Sequence, residues 1–106
     1  MQFTLVEDEK GILAALNGRF TFQDHAAFRG LLNAIASAKP NSAQAGTVAL
    51  DIKALEFIDS AAIGMLLMAN DASKKAGLRF VVRSPQGQVR RTLETASLAT
   101  IFPIQD

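Results

Sequence analysis

The chain contains no cysteine, which excludes a disulfide framework and any thiolate metal site. That absence fits a reducing compartment. It has one histidine, His25, placed in the first turn of a predicted helix with no acid or hydroxyl at catalytic spacing. A working acid–base site needs several convergent groups and a metal site needs a ligand cluster, so neither catalysis nor a bound metal is expected. No glycine-rich loop of the G-x-x-x-x-G-K or G-x-G-x-x-G kind is present, which leaves nucleotide chemistry without an obvious seat. No cofactor is therefore predicted. The chain is not expected to be an enzyme.

Concentrated charge is missing too. Eleven basic residues stand against ten acidic ones, for a net charge of +1. A nucleic-acid binder needs a basic face that displaces counterions, and here the densest cluster is Arg90-Arg91, with Arg79 and Arg83 nearby in sequence. These read as solvated helix and strand ends. The longest apolar stretch, Ala61 to Ala69, is too short to cross a bilayer. The first residues have neither the basic start nor the apolar run of a signal peptide. The expectation is a soluble cytoplasmic protein with no membrane insertion and no nucleic-acid partner.

What is present is ordinary for one globular domain, taken as residues 1–106: 49% hydrophobic and 20% charged residues in a 106-residue chain. Residues 2–8 alternate, with Phe3, Leu5 and Glu7 on one face and Gln2, Thr4 and Val6 on the other. Residues 12–16 form a second apolar run. Between them, Asp8-Glu9-Lys10-Gly11 predicts the turn of a β-hairpin. Thr21 and Asp24 have capping-box spacing and open a helix, whose apolar stripe is Phe28, Leu31, Leu32 and Ile35. It stops before Lys39-Pro40-Asn41-Ser42, and Gln44 to Gly46 continue a flexible loop.

Thr47 to Ile52 predicts a buried strand, followed by a connector to Asp59-Ser60. A helix then runs to Lys75-Ala76 and ends at Gly77 in the left-handed cap position. Leu78–Arg83 reads as a strand and 86–96 as a helix with Val89, Leu93 and Ala96 inward. Thr100–Ile104 reads as a closing strand. The alternation predicts an α/β fold: a mixed sheet with an N-terminal hairpin and a parallel centre, and helices packed against it.

The segment richest in chemical meaning is Phe57-Ile58-Asp59-Ser60-Ala61-Ala62-Ile63-Gly64-Met65-Leu66. Asp59 is a natural N-cap, its carboxylate facing the free amides of residues 61 and 62. Ser60 falls at the first helical position, beside the positive end of the helix, where an attached phosphate would meet unpaired N–H groups. The helix is apolar almost all round for its first turns and so must be mostly covered. Gly64 in mid-helix costs about 0.5–1 kcal/mol relative to alanine. Close approach of another backbone, from the sheet beneath or a partner above, would compensate, and a large residue there should wedge packed surfaces apart. A plain capping role accounts for Asp59 and Ser60 on their own.

Two resemblances bear on this segment. Leu5-Val6-Glu7-Asp8-Glu9, with Asp51 near a later strand end, resembles a response-regulator receiver, but a hairpin partner follows instead of a helix and no lysine occurs after Lys75. Over nearly its whole length the chain instead resembles the STAS domain, and within it the bacterial anti-sigma-factor antagonists. Residues 57–66 look like that family's strand-to-helix signature, apolar-apolar-Asp-Ser-Ser-Gly-Leu-Gly. Leu16-Asn17-Gly18-Arg19-Phe20 resembles its Leu-x-Gly-Glu-Leu after the second strand. Gly77 to Val82 and Val89 to Leu98 fit its later strand and helix.

The resemblance implies phosphorylation at Ser60 by a serine kinase that doubles as an anti-sigma factor, and reversal by a phosphatase. It implies a partner-binding surface of Asp59, Ser60, Ala61, Ala62, Ile63, Gly64 and Arg19. Ala61 and Ala62 stand where the family usually has Ser and Gly, and Arg19 stands where it has an acid, which points to a different partner. STAS-like domains also serve as accessory subunits of transporters, where no phosphate switch is needed.

Overall fold

The computed structural model describes residues 1–38 and 46–106. The loop expected from Lys39 to Gln44 lies outside the described residues. The elements are β1 (Gln2–Asp8), β2 (Gly11–Phe20), a 3-10 turn (Phe22–Asp24), α1 (His25–Ser37), β3 (Thr47–Ile58), α2 (Ser60–Lys75), β4 (Arg79–Arg83), α3 (Gly87–Thr95), a second 3-10 turn (Leu98–Thr100) and β5 (Ile104–Gln105).

The five strands lie in the order β1-β2-β3-β4-β5. β1 pairs antiparallel with β2, and every later pairing is parallel. This is the mixed α/β sheet expected, with its N-terminal hairpin and parallel centre. Gly11 opens β2 at φ +130, and a Cβ there would lie 2.1 Å from the Thr47 carbonyl oxygen. Only glycine permits β3 to start so close. The Lys10 carbonyl accepts from the Thr47 N–H at 2.8 Å and fixes that approach.

One face of the sheet carries the core. Ile12, Ala14 and Leu16 of β2 alternate with exposed residues as a one-sided strand pattern requires, and Val48, Leu50 and Ile52 of β3 and Phe80 and Val82 of β4 join them in the core, with Ala49 and Val81 buried as well. Phe28, Leu31 and Ile35 of α1 are buried as the stripe predicts, while Leu32 is half-buried. Phe20 and Phe28 stack with centroids 5.0 Å apart and tie the end of β2 to α1. Among the described residues, no buried side-chain nitrogen or oxygen is without a hydrogen-bond partner. Even Ser73, fully buried in α2, donates to the Ala69 carbonyl at 2.7 Å.

Three boundaries differ from the sequence reading. β2 runs on to Phe20, so the segment 16–20 lies within the strand rather than after it; register shifts between Ala15 and Asn17 and between Gly18 and Arg19 absorb the irregularity. The supposed connector 53–58 is also strand, because β3 stays paired with β2 as far as Phe20↔Ile58, with Leu55 and Ile58 buried. The closing strand is only Ile104–Gln105. Leu98 and Phe102, four apart, turn inward instead, and Phe102 meets Phe80 edge-to-face at 5.0 Å. Ala96, expected inward, is exposed just past the end of α3.

Candidate functional site

The site forms where β2 and β3 end together. Arg19↔Phe57 and Phe20↔Ile58 are the last pairs of that ladder, so the turn after β2 and the start of α2 leave the sheet side by side. Asp59 joins them. Its Oδ1 accepts from the Ala62 N–H at 2.9 Å, which is the N-cap bond expected. Its Oδ2 accepts from the Phe22 N–H at 3.0 Å, 37 residues away in sequence. The Asp59 N–H in turn donates to the Phe20 carbonyl at 3.3 Å. One carboxylate therefore caps α2 and fastens the neighbouring 3-10 turn to it.

That turn has its own closure. The Thr21 N–H donates to Asp24 Oδ2 at 2.8 Å, and the Gln23 N–H donates to Thr21 Oγ1 at 3.3 Å. The capping-box spacing is real, but it caps the short turn, and α1 begins one residue after Asp24. Partial burial of Asp24 raises its pKa, but the Thr21 amide and the Met1 amino group outweigh this and hold it below the usual value.

Ser60 is the first residue of α2 and is exposed, as is Gly64 one turn on. Arg19 is exposed at the same end of the sheet, its guanidinium 4.3 Å from the centre of the Phe57 ring. Asp59, Ala61 and Ile63 are half-buried. Ala62 is fully buried and faces the core. The structure thus leaves Ser60 and Gly64 exposed on α2 and Arg19 exposed near the end of β2, sets half-buried Asp59 at the junction between them, and turns Ala62 to the core.

The covering expected of α2 is incomplete. Ala62, Met65, Leu66 and Ala69 are buried, but Gly64 is open and Met68 is 50% exposed. Among the described residues, and apart from its chain neighbours and the backbone of its own helix, no atom lies within 4 Å of where a Gly64 Cβ would stand. The sheet therefore does not explain this glycine, and the expected wedging by a large residue is overturned for the isolated chain. Gly64→Ala should instead raise stability by about 0.5–1 kcal/mol. Denaturant melting checks this, and a loss of stability would mean that the helix surface is not open at Gly64.

Sequence reasoning missed Phe22. It is 63% exposed, more than any other large apolar side chain among the described residues, and its backbone bond to Asp59 places it beside the start of α2. A large apolar side chain left this exposed beside a helix start is a natural point of contact for a partner. Its place inside the Thr21–Asp24 capping box, next to exposed Gln23, is the local sign of it. His25 is exposed at the start of α1. Asp51 lies inside β3 and accepts from the Lys53 N–H at 3.1 Å, not at a strand end as a receiver would need. Among the described residues, no helix is long and apolar enough to cross a membrane.

Residues 4–104 match a family model described as "Mlab, STAS domain". Among solved structures, an anti-sigma factor antagonist from Mycobacterium paratuberculosis is similar with a TM-score of 0.80 at 17% identity, covering 98% of this chain and 84% of that one. The anti-sigma factor antagonist SpoIIAA in its unphosphorylated form gives 0.66 at 18% identity, covering 99% and 87%. A sulfate transporter family protein from Wolinella succinogenes gives 0.71 at 16% identity, covering 89% and 75%. At such identities the likeness is one of fold. No curated protein sequence matches the chain.

Proposed function

The chain belongs to the STAS domain family, and we propose that it works there as a phosphorylation-gated protein-binding module of the cytoplasm. Unphosphorylated, it docks onto a kinase or anti-sigma partner through Ser60, Gly64, Arg19 and Phe22. Phosphorylated at Ser60, it lets go, and a phosphatase resets it. It acts by binding, not by catalysis.

The observation that carries this reading is the doubly bonded Asp59 carboxylate beneath an exposed Ser60. A capping role alone needs one bond to one amide. Here the aspartate also holds the Phe22 turn, so the acceptor hydroxyl, an exposed aromatic and a bare helix surface at Gly64 sit together on a fixed frame. Fixed frames cost little entropy on binding.

A second reading has its own support: the Wolinella neighbour is a sulfate transporter family protein, and a constitutive accessory subunit of a transporter needs no phosphate. Mass spectrometry of the chain isolated from its own cells separates the two. The switch predicts a population carrying phosphate on Ser60, stable to mild acid. An entirely unmodified Ser60 under every growth condition would favour the subunit.

The same surface explains Gly64. Gly64→Leu should melt no lower than the wild type, since leucine is a better helix former than glycine, yet lose its partner, because the side chain would occupy space that the partner's backbone fills. Retained partner capture by a folded Gly64→Leu would remove this part of α2 from the interface.

A further inference from the structure

β3 outruns the strand on its far side. β4 pairs with it only from Thr47↔Arg79 to Asp51↔Arg83, whereas β3 continues to Ile58. Beyond Asp51, α3 packs along this edge, and its second residue reaches the strand end. Gln88 Oε1 accepts from the Ile58 N–H at 3.1 Å, and Gln88 Nε2 donates to the Ile58 carbonyl at 3.0 Å. A primary amide offers one acceptor and a donor in the arrangement of a peptide group. Its side chain thus replaces the pair of ladder bonds that a longer β4 would have made. Only one orientation of the amide satisfies both, since the flipped one would set donor against donor and acceptor against acceptor.

Ile58 directly precedes Asp59 and stands two residues before Ser60. Its other edge faces Phe20 in β2. The strand end is therefore held from both sides, by β2 and by Gln88, at the point where the chain turns into α2. We infer that Gln88 is a positioning residue for Ser60: its amide fixes the backbone of the β3–α2 junction and so couples α3 to the phosphorylation site. The functional part of this rests on the reading of Ser60 as the switch. The clasp itself does not.

Two variants test it without any partner. Gln88→Met keeps the length of the side chain and makes neither bond. Gln88→Glu, when ionised, accepts from the Ile58 N–H but cannot donate to the carbonyl. When protonated, a carboxylic acid offers an O–H beside a C=O and restores both bonds. Amide hydrogen exchange read by NMR should show the Asp59, Ala62 and Ile63 amides of Gln88→Met losing protection by about tenfold. The β1–β2 hairpin should be unchanged, which separates a local release from global destabilisation. In Gln88→Glu the same amides should be loose near neutral pH and regain wild-type protection as the pH falls through about 4.3, the ordinary glutamate value. Wild-type protection at Asp59 and Ala62 in both variants would overturn the inference, as would a Gln88→Glu protein that never recovers. An unphosphorylated Ser60 in cells would contradict the switch and leave the exchange result standing.

Discussion

Phosphorylating Ser60 should weaken partner binding about a thousandfold or more while leaving the fold of the free protein unchanged. A phosphoserine adds about −1.5 to −2 charges near neutral pH. Ser60 opens α2 and is exposed, so in the free protein the dianion stays in water beside the positive end of a helix. That placement is mildly stabilising, by roughly 0.3–1 kcal/mol. The free chain has no cause to rearrange. In an interface fitted to a neutral hydroxyl the same charge must be desolvated without a counter-charge, which costs at least several kcal/mol. A thousandfold loss needs only about 4 kcal/mol. Arg19 is the one cation of the proposed surface and is already placed over the Phe57 ring. The sign of the effect is set by the partner, since an arginine cluster opposite Ser60 would reverse it.

The second large effect is on stability. Asp59→Ala should cost about 1–3 kcal/mol, because it removes the α2 cap and the bond that fastens the Phe22 turn. For a chain of this size that is a fall in Tm of roughly 5–15 °C. Asp59→Asn tells the two bonds apart. Its single carbonyl oxygen can still cap the Ala62 N–H, but its NH2 cannot accept from Phe22, so it should recover only part of the loss. Thermal melts of the three proteins check this. A wild-type Tm for Asp59→Ala would mean that the carboxylate holds neither element.

The features legible in the sequence are those set within a few residues. The alternation of β1, the stripe of Phe28, Leu31 and Ile35, the Asp59 cap and the Gly77 stop each depend on neighbours in the chain, and each stands as read. What escaped was set at long range. Residues 53–58, with Lys53, Ala54 and Glu56 exposed, have no clear strand alternation. They are strand because β2 continues beside them through two register shifts. The bond from Phe22 to Asp59 spans 37 residues, and the clasp of Gln88 on Ile58 spans 30. Neither has a local signature. Gly64 was half legible: its composition marked it as unusual, but only the empty space above it shows that the sheet is not the reason.

The most direct measurement is a titration of the protein that co-purifies with this chain from its own cells, against wild type, Ser60→Ala, and chain phosphorylated at Ser60. Circular dichroism should be the same for all three. The switch predicts that wild type and Ser60→Ala bind with equal affinity and that the phosphorylated form binds at least a thousandfold more weakly. Equal affinity for all three forms would contradict it and leave a binding module that no phosphate controls.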